Sequence, residues 1–396
     1  MNVRKQVLMV MPVMKGGGAE RVAALLMNEF YKNKYDVKFL LTSSKEDEVV
    51  NRDLDKNIPI ITLEKKKPDA KMKLLKMYAS FFCRIFESLK KPVPSHFAYC
   101  SFISQYGNEI KQIRAMMEEN PDMTVITFLQ PSIPMVFLAA KGLPNKILFS
   151  ERGNPERLMK HRYGKNFIEK YYSRADVAVF QTKDAKEAYP ECVGNKGVVI
   201  SNPIKANLPD AYIGERKKKI TTFCRISRVK NLPMLVDAFA LVHKEYPEYV
   251  LRIIGDATTK EGEQVFEELK KQIQVLQLED SVEWGPFSLN VHEQILEDAM
   301  YVNSSNSEGI CNAMLEAMAI GMPVVCTDCP IGGARATIKN GVNGLLVPVN
   351  DAEKLYLSMK KIIENPEFAK ALATEAGKLR DTLSLESIAK RWMELI

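Results

Sequence analysis

A chain of 396 residues with 46% hydrophobic content exceeds one ordinary core, and no apolar run approaches membrane-spanning length, so two globular domains are expected. The net charge of +7 equals that of one segment, 65–91, where nine Lys and Arg stand against Asp69 and Glu87; the balanced remainder excludes a general nucleic-acid binder. Seven cysteines without framework spacings point to a reducing, cytoplasmic compartment, and four scattered histidines, His96, His161, His243 and His292, argue against a histidine-rich metal site.

In chain order, 7–11 reads as a buried first strand. The charged residues before it mimic a signal peptide, but the apolar part is short, lacks a small-x-small cleavage site and runs into Gly16-Gly17-Gly18. That glycine loop, a helix over about 19–31 and a strand at 37–41 form a strand-turn-helix-strand unit, which predicts a parallel sheet. The glycines let backbone approach a ligand closely, although GGGAER is neither G-x-G-x-x-G nor a Walker loop. Asp53-Leu-Asp55, the only D-x-D, lies in a polar run and reads as loop rather than metal site.

Residues 71–91 show helical periodicity, with Leu74, Leu75, Tyr78, Phe81, Phe82, Ile85 and Leu89 on one stripe. Packing against the sheet is the preferred reading of this stripe, and contact with an anionic bilayer surface is the other. Strands at 124–128, 146–150, 177–180 and 198–201 and helices at 133–141 and 166–173 complete the first set. Polar groups follow three of these strands: Gln130, then Glu151-Arg152-Gly153-Asn154, then Gln181-Thr182. In open α/β sheets ligands sit at such carboxyl ends. The stretch 202–219, with prolines, charges and no periodicity, reads as an interdomain linker. A second α/β set follows, with strands at 220–226, 250–254, 282–284, 301–302, 324–326 and 344–347, and helices at 232–244, 262–276 and 291–297 among them.

Chemistry gathers in 307–327, SEGICNAMLEAMAIGMPVVCT, which reads as loop, helix, glycine stop and strand. Asn312 is the expected N-cap, and Gly321 with Pro323 closes the helix. Glu308 then lies just before the helix and Glu316 in its second turn. Amides at 309–312 and the helix dipole attract phosphate, while carboxylates accept hydrogen bonds from hydroxyls; a nucleotide sugar satisfies both. At the end of the second set's first strand, Arg225 and Lys230 are two cations placed to offset a diphosphate without metal. Cys326-Thr-Asp-Cys329 is formally C-x-x-C, but it has no partner pair and is given no redox or metal role.

These residues, with Gly255-Asp256 after a strand, Trp284-Gly285, Gly332-Gly333-Ala-Arg335 and the glycine loop before Glu20-Arg21, resemble the retaining glycosyltransferases of family 4 along nearly the whole chain. The resemblance implies an α/β protein of GT-B fold, two doubly wound Rossmann-like domains facing a central cleft. Residues 1–205 would form the acceptor side, with a last helix at about 383–396 packing back on it, and 206–382 would hold the nucleotide sugar. Among the catalytic residues so implied, Glu308 takes the sugar hydroxyls and Arg225 with Lys230 takes the diphosphate; Glu316 binds the ribose. Gly309, Ile310, Cys311 and Asn312 offer amides to the donor, Gly255 and Trp284 join them, and Gly17 and Gly18 approach from the other domain. Glu151, Arg152 and Asn154 line the acceptor side. The family needs no metal or other cofactor and retains anomeric configuration by front-side attack, with the leaving phosphate as base. Cys224 stands where a glycine is common and Cys311 where a proline is; neither change removes a charged group. His161 matches no motif, so the acceptor-side base stays unassigned.

The expected activity is transfer of a hexose or N-acetylhexosamine from a UDP-sugar to a glycan acceptor, carried on lipid, in capsule, exopolysaccharide or lipopolysaccharide assembly. Segment 65–91 would touch the inner face of the cell membrane. A nucleotide-sugar epimerase of GT-B fold and a non-catalytic nucleotide-sugar-binding partner are the alternatives. The 307–316 pattern argues against the first, and the presence of both glutamates with Arg225 and Lys230 argues against the second.

Overall fold

A computed structural model describes residues 4–43, 53–64, 70–159 and 164–396; His161 and residues 65–69 of the basic segment lie outside them. The chain divides into two units, Met1–Ser201 with Ile388–Ile396, and Asn202–Ser387.

In the first unit, β1 (Gln6–Met11) is apolar and buried along almost its whole length, as a strand covered on both faces must be. It is followed by α1 (Gly18–Lys32), β2 (Asp36–Leu41), β3 (Ile60–Thr62), α2 (Ala70–Ser88), α3 (Ser95–Glu119), β4 (Thr124–Phe128), β5 (Ile147–Ser150), β6 (Val177–Phe180) and β7 (Gly197–Val199). The seven strands pair in the order β3-β2-β1-β4-β5-β6-β7, and all the pairings are parallel. Helical crossovers on the two faces make such a sheet doubly wound.

The apolar stripe of α2 is divided rather than buried. Phe82 and Phe86 turn to Phe97 of α3, Phe82 stacking on it with centroids 4.6 Å apart, and only Ala79 and Cys83 of α2 are fully buried. Leu74, Met77, Tyr78, Phe81, Ile85 and Leu89 remain 36–68% exposed. The sheet-packing reading of this stripe is therefore corrected. The layer that packs inward is α3, whose Phe102, Ile113 and Met117 are buried.

In the second unit, β8 (Lys217–Phe223), α4 (Leu232–Glu245), β9 (Val250–Ile254), β10 (Val282–Gly285), β11 (Asp298–Asn303), α5 (Asn312–Ala319), β12 (Val324–Thr327) and β13 (Leu345–Val347) precede α6 (Leu385–Met393). Its parallel strands run in the order β10-β9-β8-β11-β12-β13. The apolar face of α4, with Leu235, Val236, Phe239 and Val242, fills the core against Leu251 and Val302. The end of α6 belongs to the first unit, where Trp392 lies 5.7 Å from Phe128, ring to ring, and Arg391 donates to the Val199 carbonyl at 2.6 Å.

The stretch expected to be a free linker is tied down instead. Ile204 and Leu208 are buried with Met314, Leu315 and Met318 of α5, and the Ile204 N–H donates to the Leu383 carbonyl at 2.8 Å. Arg216 donates to the Leu296 and Asp298 carbonyls at 3.2 and 3.0 Å, and Lys217–Lys219 already belong to β8. Two apolar side chains in a polar stretch suffice to cover one face of a short helix, a pattern too sparse to register as periodicity.

Candidate active site

Chain order reverses between β8 and β11, which lie side by side in the second sheet. Loops leaving the carboxyl ends of such a strand pair diverge and leave room for a ligand. Here the loops are 224–231 and 304–311, and they are stitched together at their bases. The Asn306 N–H donates to the Val229 carbonyl (2.8 Å), the Ser304 hydroxyl to the Lys230 carbonyl (2.9 Å) and the Asn231 amide to Asn306 Oδ1 (2.9 Å).

This stitching sets Lys230 Nζ against Glu308 Oε1, both side chains about four-fifths buried, and the Ser305 hydroxyl adds a bond to the same carboxylate at 3.0 Å. Burial alone would push the Lys230 ammonium down; the Glu308 carboxylate beside it holds it well above the ordinary lysine range instead. Arg225, five residues earlier on the same loop, is exposed and makes no ion pair among the described residues. The site thus offers two cations, one fixed in place by a carboxylate and one exposed.

Helix α5 begins directly after this loop. Its N-cap is Cys311, not Asn312: Asn312 is the first helical residue, and its Oδ1 accepts from the Asn202 amide at 2.7 Å rather than capping an amide of its own helix. Gly309 and Ile310 lead into the cap, with Ile310 buried. Glu316 is 4% exposed, and His292 Nε2–H donates to its Oε2 at 2.7 Å. His292 is equally buried, its ring set edge-on to Phe223 with centroids 5.7 Å apart. Sequence reasoning missed His292, because its partner lies 24 residues away and neither spacing nor a motif joins them. Burial pushes the Cys224 thiol up to about 11 and raises that of Cys311, so both substituted positions present neutral sulfur at physiological pH.

Two glycines hold these loops close. A Cβ on Gly333 would stand 1.5 Å from the Gly309 carbonyl oxygen, and one on Gly255, at φ +145°, 1.9 Å from that of Cys224. Gly333→Ala must therefore displace loop 304–311, with an expected loss of about 1–3 kcal/mol in urea unfolding and a parallel loss of activity. Gly377→Ala, where nothing lies within 4 Å of the added carbon, should leave both unchanged. Trp284 is not brought to this cluster. It sits on edge strand β10 with its ring packed on Phe266, centroids 4.8 Å apart.

The remaining candidates belong to the first unit. Gly17 caps α1, and the Glu20 carboxylate folds back to accept the N–H groups of Lys15 and of Gly17 (2.9 Å), curling the glycine loop with Gly18 onto the helix N-terminus. Glu151, Arg152 and Asn154 leave the carboxyl end of β5. Glu151 accepts from the Gln130 amide (3.3 Å) and from the Arg152 and Gly153 N–H groups (3.1 and 3.3 Å). The Arg152 guanidinium lies 4.3 Å over the Phe128 ring. Burial raises the Glu151 carboxyl above the ordinary range, against these bonds. The folded state therefore holds an extra proton between the unfolded and folded pKa values, and stability falls as pH rises through that window. Melting temperature followed from about pH 4 upward should show this fall in the wild type and a flatter profile in Glu151→Gln.

Among the described residues no group of three or more His, Cys, Asp and Glu side chains is placed to hold a metal ion. Asp55 is engaged in its own loop, its Oδ1 accepting from the Asn57 backbone at 2.8 Å. All seven cysteines are free thiols, and Cys329 donates to the Ser305 carbonyl at 2.8 Å.

Residues 204–379, which contain every element of this cluster except Asn202, match the family described as "Glycosyl transferases group 1". An uncharacterized glycosyltransferase of Haemophilus influenzae is 23% identical over 98% of both chains. An N-acetylgalactosaminyltransferase of Campylobacter jejuni, named for a diacetylbacillosaminyl-diphospho-undecaprenol acceptor, is 28% identical over 41% of this chain and 42% of its own. Among solved structures, HepE of Anabaena in complex with UDP and glucose superposes with a TM-score of 0.74 at 17% identity, covering 99% of each chain. The fold shared with HepE is GT-B, an α/β architecture of two parallel-sheet, Rossmann-like domains.

Proposed function

We propose that the protein is a retaining, metal-independent glycosyltransferase of family 4 that moves a hexose or N-acetylhexosamine from a UDP-sugar to a glycan acceptor. The acceptor is carried on lipid and belongs to capsule, exopolysaccharide or lipopolysaccharide assembly. The observation that carries the reading is the Lys230–Glu308 pair held across the sheet's switch point at the N-terminus of α5. Lys230 and Arg225 offset the charge that grows on the leaving diphosphate, and the amides of 309–312 bind the same group. Glu308 accepts from the sugar hydroxyls, and Glu316, oriented by His292, accepts from the ribose. With a fixed cation on the diphosphate, the departing phosphate oxygen takes the acceptor proton as attack proceeds on the same face. The UDP and glucose in HepE support the donor class, and the name of the Campylobacter relative supports a lipid diphosphate acceptor.

The test is a panel of UDP-hexoses and UDP-N-acetylhexosamines with a lipid-linked glycan acceptor, in chelator, with the product's anomeric coupling read by NMR. An α-linked product from an α-donor is expected. A β-linked product would sink the retaining assignment, and conversion of donor without acceptor would show an epimerase.

A further inference from the structure

We propose that the outward face of α2 is a docking surface whose occupant is the headgroup layer of an anionic bilayer. This deepens the reading of a lipid-linked acceptor and rests on it. At about 100° per residue, Leu74, Met77, Tyr78, Phe81, Ile85 and Leu89 fall within an arc of about 120°. All six are 36–68% exposed, while the buried Ala79 and Cys83 lie on another side of the helix. Water-soluble surfaces rarely carry so continuous an apolar ridge unless something covers it.

Charge selects what covers it. Lys73 and Arg84 border the arc on one side and Lys71 on the other, and all three are exposed. Lys76, Ser80 and Arg84 line one open groove together with Met77, Phe81 and Ile85, so cations and a hydroxyl stand beside apolar side chains. That is the order of groups met on passing from phosphate headgroups to acyl chains. The acidic Glu87 falls outside the arc, and the segment carries a net charge equal to that of the entire chain. A second copy seated on the same face would bring like charges together about a two-fold axis. No helix among the described residues is long and apolar enough to cross a membrane, so α2 lies in the plane of the surface.

The test is sedimentation of the full chain with vesicles of phosphatidylcholine alone and with about a third phosphatidylglycerol, at low and high salt. Binding should be at least tenfold tighter to the anionic vesicles and weaken with salt. Neutralising Lys73→Gln with Arg84→Gln should weaken it by about fivefold per cation. Met77→Ser with Phe81→Ser, exposed positions whose change leaves the core intact, should weaken it by tenfold or more while UDP binding is unchanged. Equal binding to both vesicle types, or no effect of either pair of variants, overturns the proposal. So does a dimer in light scattering that Met77→Ser with Phe81→Ser dissolves. Intact vesicle binding without glycosyl transfer would instead overturn the functional reading on which the proposal rests.

Discussion

Replacing Lys230 with alanine is expected to lower turnover by about 10²–10³-fold, the range seen when one preorganised charge-stabilising donor is removed. The effect should exceed that of Arg225→Ala, because the two cations differ in how they are held. Lys230 is about four-fifths buried and fixed by Glu308 and the stitched loops, whereas Arg225 is exposed and solvent-screened. The substitution also strands Glu308 without its cation, so Lys230→Ala with Glu308→Gln should restore part of any lost stability without restoring turnover. Steady-state kinetics and urea unfolding on the same four proteins separate the two effects. Equal losses at Lys230 and Arg225 would mean that the buried pair is a packing feature and not the diphosphate site.

The second large effect is expected at Glu316. Its carboxylate is buried at the base of the site and accepts from His292 at 2.7 Å. Glu316→Ala removes the proposed ribose acceptor and leaves a buried imidazole without its carboxylate, with an expected loss of about 10²-fold in UDP affinity and about 1–3 kcal/mol in stability. Glu316→Gln keeps the shape and should recover most of the stability and little of the affinity. In the proposed site His292 acts through Glu316 as a positioning residue. His292→Asn should raise the donor KM with a smaller effect on kcat, and the double variant should show a coupling of about 1 kcal/mol or more. Additive effects in that cycle would separate His292 from donor binding.

The parts of this site that sequence showed are those carried by local pattern. Glu308 and Glu316 stand on one short loop-helix segment, and the Ala, Met and Leu run between them specifies α5 without outside help. Arg225 and Lys230 were legible as cations after a strand. Their union with Glu308 was not, because 78 residues separate Lys230 from its partner and only the sheet order places β8 beside β11. The cap of α5 shifted by one residue for a similar reason: the Asn312 side chain is claimed by Asn202, 110 residues away. Helix α3 was missed, since Ser101, Ser104 and Gly107 are buried among its apolar residues and blur the amphipathic contrast. The stripe on α2 was seen as one stripe because its two arcs adjoin. Only the presence of α3 divides Phe82, which it covers, from Leu74 and Phe81, which it does not.

Calorimetric titration of UDP into the wild type, Lys230→Ala and Glu316→Ala tests the donor site most directly. Binding to the wild type that weakens by at least tenfold in each folded variant is the expected result. The same dissociation constant in all three proteins, or no heat with any of them, would contradict the assignment of the Lys230–Glu308 cluster and α5 as the nucleotide site.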